Sequence, residues 1–264
     1  MAALAFLCSL FVFGFSARAV VGPYATDADT LLLFQFDDAA GQNVAASAGS
    51  LVSGGNKKAY AVNETTATTT PAAINSILGG SAYPGFGSAA NFNYPGAVAG
   101  AMIGWDFNDS SAYDGDISSG TQSADRFNMS TLNIGNGGQT SWTMETLIKP
   151  TSTSVNQEII CTDSSASSRA FQFRINNAAQ LEINFIGVSG LKFLPQIPTT
   201  GTHAYAANTW FHVAAAYDGT TLRFYWTKVD PSVASANLIG STNLAIGTAA
   251  GALQGPLVIG NENR

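Results

Sequence analysis

Cysteine and charge are the two things that this sequence has least of. Its 264 residues include only two cysteines, Cys8 and Cys161. Charged residues make up 11 % of the chain, against about 25 % in an average soluble domain. Cys8 lies in an N-terminal apolar run that we predict to be removed as a signal, and Cys161 alone cannot form an internal disulfide, which excludes a small domain held together by disulfides. Cys161 follows Ile159 and Ile160, which favours a buried strand position over a nucleophile.

Basic residues are scarce as well. The chain has 11 Lys and Arg against 17 Asp and Glu, so its formal net charge is −6. Only Lys57 and Lys58 are adjacent, and no basic stripe exists that could neutralise a row of phosphates. We therefore exclude nucleic acid and anionic membrane surfaces from the expected partners.

No apolar run in the sequence is long enough for a membrane span, which needs about 20 residues. The run from Leu4 to Phe15 is shorter, and the Ala17-Arg18-Ala19 pattern of a cleavage site follows it. We predict a signal peptide over 1–19 and a lead-in over 20–29, hence a secreted or cell-surface protein with no membrane insertion after signal removal. An exported protein without disulfides indicates a bacterial source.

Alternation with a period of two residues is abundant, and sustained helical periodicity is absent. Trp142, Met144, Thr146 and Ile148 share one face of a predicted strand that Pro150 ends. Two hairpins are predicted from strand pairs around short turns. They join 171–175 to 181–185, and 210–217 to 222–226 around Asp218-Gly219. A further strand is predicted over 31–36, and residues 30–264 are expected to form one all-β, two-sheet antiparallel sandwich.

A segment rich in Gly, Ser and Asp, around 95–130, is predicted to be a long loop insertion with little regular structure. Oxygen-bearing side chains crowd part of it, and calcium is bound by such oxygens. The predicted calcium ligands are Asp106, Asn108, Asp109, Asp114 and Asp116. Trp105 and Tyr113 flank them, and aromatic rings beside polar groups are typical of sugar sites. Residues 104–116 are therefore the predicted glycan-binding segment.

Four blocks, in order, resemble the laminin-G-like family of concanavalin A-like jelly rolls, in the version common in large secreted bacterial proteins. They are Thr30–Asp37, Gly85–Phe92, Ser141–Pro150 and Asn208–Tyr225. The resemblance implies a jelly-roll sandwich, and some of the family's members bind calcium at loop rims. The family continues beyond a segment like 255–260 with a Gly-x-Ile-Asp-Glu-Val strand. This chain departs from that pattern, so we expect it to be a piece of a larger polypeptide.

Catalytic patterns are missing from the sequence. Retaining glycosidases need two carboxyl groups about 5–5.5 Å apart, and no glutamate here stands in the Glu-x-Asp-x-x-Glu spacing of the fold's glycosidases. His203 and His212 have no cluster of zinc ligands around them, and Glu145 is expected to be an outward or hydrogen-bonded strand residue. We expect a non-catalytic recognition or adhesion module for a glycan or an extracellular protein. The alternatives are a carbohydrate-active enzyme on the same fold and a structural spacer of a larger surface protein.

Overall fold

A computed structural model of the chain describes residues 25–37, 44–45, 47–48, 57–64, 72–73, 79–92, 99–106, 141–162, 171–185, 192–243 and 257–260. All regular elements within these ranges are β-strands. None of the described residues form a helix with the length and apolar character that crossing a membrane requires. The signal peptide predicted over 1–19 and the first half of the lead-in, 20–24, lie outside the described residues.

The strands vary from two to eight residues in length. In chain order they are β1 (Leu33–Phe34), β2 (Val44–Ala45), β3 (Ser47–Ala48), β4 (Lys57–Glu64), β5 (Ala72–Ala73), β6 (Gly80–Ser81), β7 (Ser88–Ala89), β8 (Ala99–Asp106), β9 (Trp142–Ile148), β10 (Gln157–Thr162), β11 (Phe171–Ile175), β12 (Leu181–Phe185), β13 (Lys192–Phe193), β14 (Phe211–Tyr217), β15 (Thr221–Lys228), β16 (Leu238–Asn243) and β17 (Leu257–Ile259).

Two sheets carry most of the described strands. The larger has the order β13-β12-β11-β10-β17-β8-β4-β2, with β5 also paired to β4, and the smaller has the order β16-β15-β14-β9. All of the pairings in both sheets are antiparallel. Two short pairs, β1-β3 and β6-β7, stand apart from them. The predicted all-β antiparallel sandwich is confirmed.

The core lies between these two sheets because each sheet turns one apolar face inward. The larger sheet contributes Phe171, Phe173 and Phe185, and the smaller contributes Phe211, Phe224 and Trp226, all fully buried. The alternation read from the sequence of β9 appears directly in its exposure, since Trp142 and Met144 are buried while Thr143 and Glu145 are exposed.

Both predicted hairpins are confirmed. Phe171 pairs with Phe185 and Ile175 with Leu181, and the turn between them has Ala179 at a φ of 57°. In the other hairpin Tyr217 pairs with Leu222, and Gly219 takes a φ of 97° in the turn. That φ is one that glycine adopts without the steric cost of a Cβ atom.

The structure differs from the sequence prediction in two strands. The strand expected over 31–36 is reduced to Leu33–Phe34. Phe36 takes a φ of 54°, which breaks the extended backbone, and its ring stacks on that of Phe34. Within the insertion expected around 95–130, Ala99–Asp106 is an eight-residue strand. It forms because β4 and β17 pair with it on either side. The remainder of that insertion, 95–98 and 107–130, lies outside the described residues.

Candidate functional site

The predicted glycan and calcium segment is described only at its beginning. Trp105 and Asp106 are the last two residues of β8, where their backbones pair with Lys58 and Lys57 of β4. Asn108, Asp109, Tyr113, Asp114 and Asp116 lie outside the described residues. Within the described ranges, no three His, Cys, Asp or Glu side chains come together as a metal site would require. The calcium site and the 104–116 binding site therefore stay predictions.

The structure presents a different candidate on the smaller sheet, which we call the outer face. It consists of the side chains that point away from the core on three neighbouring strands. These are Thr143 and Glu145 of β9, Ala214 and Ala216 of β14, and Arg223 and Tyr225 of β15. The strand register places them in two rows, Glu145-Ala214-Tyr225 and Thr143-Ala216-Arg223.

The middle strand of the outer face carries only small side chains. Ala214 and Ala216 have small side chains, and Ala214 is buried. Glu145 and Tyr225 stand on either side of Ala214, two strand spacings apart, or about 10 Å. Apart from Ala214, the residues of the outer face line one depression. The depression also takes in core-facing side chains of β9, Trp142 and Met144 among them, and reaches the segments 27–37 and 80–92. We call the part of it on the outer face the furrow. Ala216 lies in the floor of the furrow, and polar or aromatic side chains form its walls.

The furrow contains hydrogen-bonding groups without a partner. The hydroxyl groups of Thr143 and Tyr225 form no hydrogen bond with any residue that the structure describes. Thr143 is exposed and Tyr225 is partly buried. A ring fixed on a strand with its polar tip unengaged is suited to contact a ligand that is apolar on one face and hydroxylated at its edge.

Glu145 is held by a histidine of the neighbouring strand. Its Oε2 lies 2.9 Å from Nε2 of His212, whose side chain is buried. Glu145 is therefore an exposed, hydrogen-bonded strand residue, as its sequence context indicated. Nδ1 of His212 is buried and has no partner among the described residues. The other histidine, His203, accepts a hydrogen bond from the Lys228 amide through Nδ1, which fixes a loop against the end of β15.

Arg223 is oriented by the hairpin turn beside it. Oδ1 of Asp218 accepts hydrogen bonds from the amides of Thr220 and Thr221, and Oδ2 accepts one from Nη1 of Arg223 at 2.6 Å. The Thr221 amide, the Arg223 guanidinium and the Thr220 amide together hold the pKa of Asp218 well below its usual range. Asp218 is thus ionised at neutral pH and gives Arg223 a fixed anion on one side.

A second polar cluster occupies the other sheet, on the side that faces away from the core. Arg174 of β11 lies between Glu158 of β10 and Glu182 of β12, which pair with it in register. Nε and Nη2 of Arg174 donate to the two oxygens of Glu182 at 2.9 and 3.3 Å, and Nη1 donates to Oε1 of Glu158 at 3.1 Å. Lys192 Nζ lies 3.1 Å from Glu182 Oε1.

Sequence reasoning missed this cluster because it looked for carboxylates close together along the chain. The pairing of Arg174 with Glu182 follows from the hairpin register, so the predicted hairpin could have given that pair. Glu158 arrives by the pairing of β10 with β11 across residues 163–170, which no local pattern specifies.

The cluster is not arranged for acid catalysis. Burial raises the pKa of Glu182, but the hydrogen bond and charge of Arg174, with those of Lys192, outweigh it and lower the pKa below its ordinary value. A carboxyl that serves as a general acid near neutral pH requires a raised pKa. The arrangement instead matches a buried ion-pair network that fixes three strands in register.

The family is decided by a match to a family model. Residues 119–263, more than half of the chain, match a laminin-G type model described as "Concanavalin A-like lectin/glucanases superfamily". The chain belongs to this superfamily. The two-sheet antiparallel sandwich agrees with that assignment, and the laminin-G-like resemblance seen in the sequence is confirmed.

No curated protein matches the chain. One solved structure that resembles it is an alginate lyase from polysaccharide lyase family 7, with 10 % sequence identity and a TM-score of 0.25. That match covers 78 % of this chain and 66 % of the lyase chain, just under two thirds of its length. A likeness at this TM-score carries no argument about activity.

Proposed function

We propose that this protein is a secreted recognition module that binds a glycan in the furrow of the outer face and does not turn it over. The observation that carries the proposal is the placement of Tyr225, Thr143 and Glu145 around the small side chain of Ala216 on the lining of one depression. Small-molecule sites combine a concave apolar surface with a few placed polar groups. A sugar ring has the matching chemistry, because it offers C–H groups on one face and hydroxyls around its rim.

The exposed surface favours a glycan over a protein as the ligand. Among the described residues, the large hydrophobic side chains that are exposed are Val155, Leu194 and Leu238. The buried centre of a protein interface is usually apolar and rich in aromatic residues. The furrow offers mainly hydroxyl, carboxylate and guanidinium groups, which suit a hydroxylated ligand better.

The described carboxylates support binding without turnover. Glu158 and Glu182 are both engaged by Arg174, and Glu145 in the furrow faces His212 instead of a second carboxylate. Retaining glycosidases pair a nucleophilic carboxylate with a protonated one. On the outer face, Glu145 is the one carboxylate among the six residues that form it.

The test is glycan-array binding of the 264-residue chain, with calcium and again with a chelator. We predict that Tyr225→Ala weakens binding at least tenfold, since aromatic anchors of binding sites cost about 2 kcal/mol or more when truncated. Val155→Ser is the matched control, because Val155 is exposed and lies outside the furrow. It should leave binding unchanged.

The other outcomes identify the rival interpretations. Calcium-dependent binding that Trp105→Ala or Asp106→Ala removes, while Tyr225→Ala does not, would move the site to the end of β8. Hydrolysis of an array glycan would favour a carbohydrate-active enzyme. A folded protein that binds no glycan would refute the proposal and favour a structural spacer or a protein-binding module.

A further inference from the structure

Arg223 has half of its guanidinium group engaged and half free. Nη1 donates to Oδ2 of Asp218 at 2.6 Å. Nε and Nη2 form no hydrogen bond with any residue that the structure describes, and 37 % of the side chain is exposed. A guanidinium carries five donors in a planar fork that matches a carboxylate through two parallel hydrogen bonds.

Arg174 shows how two carboxylates bind one guanidinium group in this same fold. Its Nη1 donates to one carboxylate, Glu158, as Nη1 of Arg223 does to Asp218. Its Nε and Nη2 edge then binds a second carboxylate, Glu182, through both oxygens. In Arg223, Asp218 therefore takes the place of Glu158. The Nε and Nη2 edge, which binds Glu182 in Arg174, has no described partner in Arg223.

The open edge belongs to a residue of the furrow, close to the aromatic ring. Arg223 and Tyr225 are neighbours on one face of β15, which places their Cα atoms about 7 Å apart. Thr143, with its unpartnered hydroxyl, lies across Ala216 in the same row as Arg223. A sugar ring packed on Tyr225 thus has a cationic fork within reach of a group attached to the ring.

Arg223 is the cation beside Tyr225 in a depression where carboxylates outnumber cations. Six carboxylates and two cations, Arg223 and Lys149, line it. Glu145, in the neighbouring row, faces His212, and Asp218 is already bound to Arg223. Lys149 is exposed one residue beyond the end of β9. A ligand carboxylate at the free edge of Arg223 completes the fork without displacing a protein group.

We infer that the furrow recognises a glycan whose sugar unit carries a carboxylate, a uronate, with Arg223 as the specificity-determining residue. This inference rests on the proposed function and adds the chemical class of the ligand. Arg223 selects the carboxylate, Tyr225 supports the ring, and Asp218 positions the guanidinium by fixing its Nη1 side.

The experiment compares matched ligands on the 264-residue chain by calorimetry. The probes are oligomers of galacturonate and of glucuronate, each beside its own methyl ester, so that the pair differs only in the carboxylate. We expect the acid form to bind at least tenfold more tightly, because hydrogen bonds between a guanidinium and a carboxylate are stronger than those to a neutral ester.

Variants of Arg223 separate the fork from its charge. Arg223→Gln should abolish the preference for the acid form, and Arg223→Lys should lose most of it, because an ammonium cannot form the planar two-point contact. Asp218→Asn, which keeps the oxygen that accepts the turn amides, should reduce the preference partially. Thermal unfolding of each variant confirms that it folds.

Three results would overturn the inference. Equal binding of acid and ester, or a preference for the ester, would be compatible with glycan recognition but would show that the furrow does not select a uronate. Failure of these probes while neutral glycans bind on the array would do the same. Failure of every glycan would remove the proposed function together with the inference.

Discussion

At the scale of single residues, the ion pairs of Arg174 and Arg223 differ mainly in burial. Arg174 retains 13 % of its side-chain exposure and Glu182 retains 1 %, whereas Arg223 and Asp218 retain 37 % and 43 %. Charges that water still reaches are screened, so an exposed pair contributes little to stability. A buried pair that loses one partner leaves an uncompensated charge behind. The two sites should therefore respond very differently to the same substitution.

We predict that Arg174→Met lowers the free energy of unfolding by about 3–5 kcal/mol, the cost of removing one member of a buried ion pair. Urea denaturation followed by tryptophan fluorescence measures it. Arg223→Met is the matched control and should change stability by no more than about 0.5 kcal/mol, as surface substitutions do. Equal losses in the two variants would contradict the structural role given to Arg174.

At the scale of elements, the β14–β15 hairpin is the part of the fold that local sequence specifies most completely. Asp-Gly indicated the reversal, and the structure adds the reason for the aspartate, since Oδ1 of Asp218 binds the amides of Thr220 and Thr221. The glycine is required by its φ of 97°. The same turn holds Arg223 in the furrow, so the geometry of this hairpin also shapes the candidate site.

We predict that Gly219→Ala lowers the free energy of unfolding by about 1–2 kcal/mol, because a Cβ atom is strained at positive φ. Gly219→Asn should restore much of the loss, since asparagine tolerates left-handed conformations better than alanine. Thermal denaturation of the three proteins makes the comparison. Identical stability of the alanine and asparagine variants would show that the backbone angle is not the cause.

Strand β8 shows where element prediction from sequence failed. Its residues, Ala99–Asp106, include two glycines and two alanines and lack the regular alternation of the other strands. Glycine and alanine are depleted in strands because they offer little side chain to pack. The strand exists because β4 and β17 supply backbone partners on both sides, and that support comes from distant parts of the chain.

At the scale of the whole molecule, several carboxylates have their pKa lowered by folding. Hydrogen bonds lower the pKa of Asp27, Asp218 and Asp230, while the Arg174 and Lys192 contacts lower that of Glu182 against its burial. A carboxyl with a lowered pKa binds fewer protons in the folded state than in the unfolded chain. Its stabilising contribution is therefore complete above its unfolded pKa and is lost as the pH falls.

We predict that the free energy of unfolding falls as the pH drops below the ordinary glutamate pKa of 4.5. Glu182→Gln should be less stable than the unchanged chain at neutral pH, and the difference should shrink as the pH falls, because protonation removes the same charge. Urea denaturation across a pH series measures both curves. A difference that stays constant with pH would contradict the lowered pKa of Glu182.

Elements that depend on neighbouring residues were predictable from the sequence alone. Alternation placed Trp142 and Met144 on a buried face, and turn residues located both hairpins, because side-chain direction and turn geometry are local properties of the backbone. Ordered strand blocks then gave the family, which the comparison confirms.

Contacts between strands that are distant in the chain depended on the tertiary structure. Register brought Glu158 to Arg174 and set Glu145 opposite Ala214, and a shift of one residue would have turned every one of these side chains to the other face. Register of this kind depends on pairing between segments far apart in the chain and on the packing of two whole sheets. For that reason the contributions of Glu158 to the ion-pair cluster and of Glu145 to the furrow could not be predicted from any local pattern.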